Sequence, residues 1–292
     1  MAGNKVIVTV APTGGMAKKS QNPHLPTQPD EIAESVYRSY NAGASVVALH
    51  ARRPDDQATC NPDIYRRINA LVREKCDIVI NNSTGGGVDG DMLIPRKDGL
   101  FDIDFEERLK GLDAGAEMAT FDCFTVAAMY GNYEMLVSTT PNQCQRMAAK
   151  FVERGIKPEW EVFNPAHILQ GVNSLITTCD KPPYFINIVL NVDRGFQGAL
   201  PYTPDILQMM VKLLPKDSIF NVSAVGTAQL PATTHALLLG GHVRVGLEDN
   251  LYYAKGDHAT NERLVERQVR IVRELGFEPA TPAEARQMMG LA

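Results

Sequence analysis

The chain has 292 residues, of which 44% are hydrophobic and 22% charged, with a net charge of −5. That balance describes an ordinary globular protein that buries a large core without metal or disulfide staples, and it lacks the basic excess of a nucleic-acid-binding protein. Five cysteines at wide spacings, with no C-x-x-C, indicate neither a disulfide framework nor a cysteine zinc knot; a reducing cytoplasm is expected, and no apolar run near the start is long enough for a signal segment or membrane span.

Short β-branched runs alternate with amphipathic stretches along the whole chain. Lys5–Val10 reads as a strand and Pro29–Ala42 as a helix, opened by Thr27-Gln28-Pro29-Asp30 and closed by Gly43. Ser45–Leu49 and Pro62–Lys75 form the second pair, Ile78–Asn81 and Phe105–Ala114 the third, Met118–Phe121 and Pro141–Arg154 the fourth. Glu159–Phe163 with Ala166–Thr178, Tyr184–Leu190 with Thr203–Leu214, Ile219–Ser223 with Leu230–Leu239, and His242–Gly246 with Thr260–Gly276 complete the series. At about 150 residues per domain the length alone predicts two domains. Eight strand–helix units in an unbroken series predict instead one α/β domain over 1–292, a closed (β/α)8 TIM barrel, with a doubly wound sheet plus a small domain as the competitor. Gly85–Phe105 is the least regular stretch and is read as a candidate lid.

In such a barrel the chemistry belongs at the strand C-terminal ends. Strand two ends at His50, strand three at Ser83-Thr84-Gly85, strand four near Thr120, and strand eight runs through Arg244 into Glu248-Asp249. Strands two and eight both flank strand one, so an imidazole and a carboxylate converge there and suit zinc or another divalent metal; the alternative for His50 is a hydrogen-bonded core histidine. Asp249 suits a base beside a metal-holding Glu248, or the two form a solvated capping pair. Arg244 suits a clamp for a carboxylate or oxyanion, or an ion-pair partner in the barrel floor. Ser83-Thr84-Gly85 offers hydroxyl and backbone N–H donors to a carboxylate or phosphate. No lysine stands at a strand C-terminal end, which counts against imine chemistry.

Several segments, in order, resemble one family. They are Asn22-Pro23-His24-Leu25-Pro26 with Pro29–Ala33, Ser83-Thr84-Gly85-Gly86, Lys157-Pro158-Glu159 with Glu161-Val162-Phe163, Gly240–Asn250, and Ala280–Arg286. The chain resembles the β-keto acid cleavage enzymes, the family that includes 3-keto-5-aminohexanoate cleavage enzyme, over essentially its whole length. The resemblance implies a zinc-dependent TIM barrel that condenses a β-keto acid with acetyl-CoA and releases acetoacetate and a new CoA thioester, by a retro-Claisen route. It implies Glu248 as a metal ligand with His50, Asp249 as base, Arg244 as support for the charge relay and enolate, and Ser83 or Thr84 with Gly85 and Thr120 as holders of the keto acid. It also implies a homotetramer.

The chain departs from the family pattern at three places. The family's His-x-His-x-Arg at strand two reads Ala48-Leu49-His50-Ala51-Arg52 here. Residues 48 and 50 share a face, so Ala48 removes a ligand and weakens metal binding. Asp56 stands at a usual glycine, and Thr227 where many members carry arginine. Residues 11–19 contain no acid but include Lys18 and Lys19, so a keto acid with a neutral or anionic side chain is expected. Two competing functions remain: a metal-free relative with a binding or regulatory role, and another metal-assisted aldolase or lyase.

Overall fold

The structure, a computed structural model, describes residues 4–291. Eight parallel strands close into a barrel: β1 (Val8–Val10), β2 (Val46–Leu49), β3 (Val79–Asn82), β4 (Met118–Phe121), β5 (Lys157–Val162), β6 (Tyr184–Leu190), β7 (Ser218–Ala224) and β8 (His242–Val245). Each pairs with its sequence neighbours, and β8 pairs with β1 through Val243↔Val8, Arg244↔Thr9 and Val245↔Val10. Helices α1 (Pro29–Asn41), α2 (Pro62–Lys75), α3 (Phe105–Lys110), α4 (Pro141–Arg154), α5 (Asn173–Cys179), α6 (Pro204–Lys212), α7 (Gln229–Leu238) and α8 (Asn261–Glu274) follow their strands in turn, and α9 (Pro282–Met289) ends the chain. Proline near the first position opens α1, α2, α4 and α6, where its missing N–H costs no hydrogen bond. The expected closed barrel is therefore the architecture observed. No helix among the described residues is long and apolar enough to cross a membrane.

The strand alternation sorts side chains cleanly. Outward residues such as Val8, Val47, Ile80, Phe121, Trp160 and Ile188 pack against the helices. Inward residues Ile7, Val46, Val79, Met118 and Phe185 form an apolar floor. One level up, alternate strands contribute Thr9, Asn81, Glu159 and Asn221, all fully buried, and this polar layer carries the active end of the barrel above it.

Three stretches differ from expectation. Lys5–Val10 is broken at Ile7: Lys5–Val6 pairs with Glu278–Pro279, and only Val8–Val10 enters the barrel. The helix expected from Ala166 begins as one π-helical stretch, His167–Val172, before α5. The irregular segment after β3 contains an antiparallel pair, Leu93–Pro95 with Phe101–Ile103. That pair joins a second hairpin, Val126–Tyr130 with Tyr133–Val137, in a four-stranded sheet. The sequence reading passed over this second hairpin, although its Gly131-Asn132 turn between apolar runs is a recognised hairpin signal. A bridge from Ala128 to Phe196 ties it to the loop after β6.

Candidate active site

The end of β8 is built on backbone that only glycine accommodates. Gly246 has φ +148°, and a Cβ there would stand 2.1 Å from the carbonyl oxygen of Ala11. The close crossing lets the Glu248 N–H donate to that same carbonyl at 3.1 Å. Gly14 (φ +64°) repeats the device from the other side, since its Cβ would fall 2.6 Å from Glu248 Cγ. The loop after β1 and the acidic pair after β8 are thus held together at the mouth.

Arg244 is the hub of the charges there. Its Nε and Nη2 donate to the two oxygens of Asp249 at 3.1 Å each, Nη2 also to Glu248 Oε1 at 2.5 Å, and Nη1 to Glu161 Oε1 at 3.1 Å. Burial alone would raise the Glu248 carboxyl, but the charge of Arg244 outweighs it and holds Glu248 down at about 2. At Asp249 burial wins over Arg244, and with the Glu248 charge beside it lifts the carboxyl to about 6. The environment therefore splits two adjacent acids into a permanent anion and a group that exchanges a proton near neutrality, which is what a base needs.

His50 reaches the same acid. Its Nδ1 lies 2.9 Å from the carbonyl oxygen of Gly86, which can only accept, so Nδ1 carries the hydrogen. In the neutral ring Nε2 is then the lone-pair nitrogen, and it faces Glu248 Oε1 at 3.3 Å. Two ligands of a tetrahedral ion, each at about 2.0–2.1 Å, stand about 3.4 Å apart. Glu248 Oε2 is buried without a hydrogen-bond partner. These features fit a divalent cation held by His50 and Glu248, with the Gly86 carbonyl orienting the imidazole from behind. Ala48, buried below His50 on the inward face, adds no ligand, and among the described residues no group of three or more His, Cys, Asp or Glu side chains is placed to hold a metal.

The remaining expected residues divide. Ser83 and Gly85 line the mouth cavity. Thr84 and Thr120 do not: the Thr84 N–H donates to Thr120 Oγ1 at 2.9 Å and Thr84 Oγ1 to the Thr120 carbonyl at 2.8 Å, stapling β3 to β4 behind the cavity. Arg52 spends its guanidinium on the carbonyls of Gly14, Asp56 and Ala17, so it shapes the β1 loop. Asp56, standing at a usual glycine, keeps the left-handed backbone (φ +64°) that explains a glycine there. Thr227 is exposed beside Gly226.

Sequence reasoning gave no role to two acids of the site, Asp122 near the end of strand four and Glu161 in strand five. Asp122 and Glu161 both line the cavity. Burial, reinforced by Asp122, pushes Glu161 well above the usual carboxylate range, and burial raises Asp122 despite Arg108, whose Nη2 is 3.4 Å from it. Below them Glu159 accepts from Asn81 Nδ2 at 2.5 Å and is likewise raised by burial. The signal was available: Glu159-Trp160-Glu161 in a strand puts both acids on one face and the indole on the other.

These groups floor a cavity of about 140 Å³ whose upper wall is apolar, from Phe124, Val126, Val137, Phe163, Val189 and Phe196 among others. A second groove of about 320 Å³, bordered by Tyr130, Val225, Gly226, Leu251 and Tyr252, opens onto Glu248 and Asp249 from outside.

Comparison with known proteins gives the family. Residues 5–291 match the family model described as beta-keto acid cleavage enzyme. The chain is 36% identical to the 3-keto-5-aminohexanoate cleavage enzyme of Acetoanaerobium sticklandii over 99% of both chains. It is 32% identical to the 3-dehydrocarnitine:acetyl-CoA trimethylamine transferase of Rhizobium meliloti over 98% of this chain and 97% of that one. In fold it is similar to apo ObcA, with a TM-score of 0.70 at 20% identity; the match covers 92% of this chain and 66% of that longer one. The chain belongs to the β-keto acid cleavage enzyme family.

Proposed function

We propose that the protein condenses a β-keto acid with acetyl-CoA, releasing acetoacetate and a new CoA thioester. The observation that carries this reading is the convergence of His50, Arg244, Glu248 and Asp249 at the floor of one cavity in the barrel mouth. Acetoacetate contains the acetyl group plus C1 and C2 of the keto acid, so the new C–C bond forms at C2, and a base must first take a C2 proton. Asp249 is that base. Arg244 grips both its oxygens and aims it, and the same guanidinium offsets the negative charge gained by the substrate. The thiolate released from acetyl-CoA then adds at the C3 ketone, the C2–C3 bond breaks, and acetoacetate leaves with a returned proton. Ser83 Oγ, which accepts the Gly85 N–H at 3.1 Å, keeps its own hydrogen to donate to the keto acid's carboxylate. The outer groove, ending on Glu248 and Asp249, leads the thioester to that carbon. His50 and Glu248 would hold a divalent ion, which when bound supplies Lewis-acid stabilisation of enolate charge.

The test is acetoacetate release assayed with and without acetyl-CoA. Dependence on acetyl-CoA is expected; keto acid consumption without it would assign another lyase. Metal analysis accompanies it: near-stoichiometric divalent metal in the wild type and at least a tenfold weaker affinity in Glu248→Gln are expected. A metal-free wild type would favour the binding or regulatory relative. The homotetramer and the cytoplasmic setting are part of the same proposal, supported by the family resemblance and by the cysteine pattern, and sedimentation velocity tests the first.

A further inference from the structure

The two walls of the mouth cavity differ in kind. Its floor carries every ionisable lining group: His50, Asp122, Glu161, Arg244, Glu248 and Asp249. Its upper wall is a separate apolar cluster in which Phe124, Val126, Phe163 and Val189 are buried, with Val192 and Phe196 packed on them. Phe163 meets Phe124 edge-on at 5.2 Å and Phe196 at 5.6 Å, so the wall is a packed surface and not a set of scattered contacts. His167 lies behind it, stacked on Phe124 at 3.7 Å, and burial holds its pKa down at about 4, so it brings no charge at neutral pH.

The charges that might have served a polar tail are turned elsewhere. Lys19 pairs with Glu31 at 2.7 Å, and Lys18 lies over the Tyr130 ring at 5.9 Å; neither lines the cavity, where their neighbour Met16 stands instead. Asp193 and Arg194 follow Val192 but line a different surface depression. The sequence expectation of a neutral or anionic side chain therefore keeps only its neutral half, because an anionic tail finds no cation on this wall.

We infer that the site selects β-keto acids whose tail beyond the ketone is short, aliphatic and uncharged, with Val189, Val192 and Phe196 as the residues that set this choice. The inference rests on the β-keto acid reading, which orients the substrate. With the carboxylate and ketone at the polar floor, the tail has only the apolar wall to meet. The cavity of about 140 Å³ has to take the carboxylate, the ketone and the tail together, which keeps the tail short. Each buried methylene strengthens binding about fourfold, whereas an ammonium or carboxylate left without a partner weakens it by at least about a hundredfold.

Calorimetric binding of unreactive probes to the purified protein tests the wall apart from the reaction. Hexanoate is expected to bind about sixteenfold more tightly than butanoate, and far more tightly than 6-aminohexanoate or adipate, which match its length but end in a charge. Absent hexanoate binding, or binding no tighter than either charged probe, overturns the inference. Val189→Asp should weaken hexanoate at least tenfold and improve 6-aminohexanoate; Val192→Asp, on a half-exposed loop, makes the same substitution where the fold tolerates it. An unchanged ranking in a folded variant also overturns it. Turnover is scored separately with 3-oxohexanoate. If hexanoate ranks first and no keto acid is cleaved with acetyl-CoA, the proposed reaction falls and the assignment of the wall stands.

Discussion

Replacing Arg244 with methionine removes the one cation that three carboxyls share. Its guanidinium makes two bonds to Asp249, one to Glu248 and one to Glu161, and is 4% exposed as a residue. Methionine keeps the apolar stem of the side chain, so the main cost is electrostatic: acids held in the interior with no counter-charge. Breaking a buried pair from one side typically costs about 3–5 kcal/mol. For a chain of 292 residues, an unfolding entropy of about 2.1 cal/mol/K per residue makes that a fall in Tm of about 5–8 °C. Thermal unfolding at pH 7 followed by circular dichroism measures it, with Arg244→Lys alongside. Lysine restores the charge but not the two-pronged grip on Asp249, so it should recover about half of the lost stability and almost none of the acetyl-CoA-dependent activity. A Tm fall of under 2 °C for the methionine variant would refute the view that Arg244 holds these acids, and full activity in the lysine variant would refute its role in aiming Asp249.

Two further outcomes follow from the geometry. His242 accepts the Ile7 N–H through Nδ1 at 3.3 Å, and burial holds its pKa at about 4, below the value of about 6.5 in an unfolded chain. The unfolded state therefore binds the extra proton first, and stability present above about pH 6.5 is lost as the pH falls toward 4, by about 3 kcal/mol, with His167 adding in the same direction. Urea titrations at pH 7 and pH 5 measure this, and His242→Asn, whose amide still accepts from Ile7, should flatten the acid limb; an unaltered limb refutes the assignment. Gly246→Ala drives a Cβ into the Ala11 carbonyl and should cost at least about 3 kcal/mol while displacing Glu248, read as lower denaturant midpoint together with reduced divalent metal binding; a variant with wild-type midpoint would show that the crossing is not tight.

The barrel was legible because its cause is local. Hydrophobic period, proline at helix starts and glycine at helix ends recur unit by unit, and eight repeats leave few architectures. His50, Ser83, Arg244, Glu248 and Asp249 were legible for a related reason, since each stands at or near the end of a strand, where such barrels carry chemistry. Thr120 shows the limit of that rule. It stands near a strand end, yet its hydroxyl oxygen accepts the Thr84 N–H, a pairing set by the register of β3 against β4, and its side chain does not line the cavity.

The sequence by itself determined the strand and helix order, the faces of each strand, and the polar residues available at the mouth. Only the tertiary structure decided which of them meet. Glu161 touches Arg244 from 83 positions away because barrel closure and stagger set opposing strands at matching heights. Asp249 is separated from Glu248 in acidity by burial and by the shared guanidinium, which neighbouring positions in a chain do not predict. The apolar wall is assembled from the ends of β5 and β6 and from a hairpin that folds back over the mouth, contacts between segments far apart in the chain. Chemistry that depends on distance and dielectric is settled by packing, whereas architecture that depends on periodicity is already written along the chain.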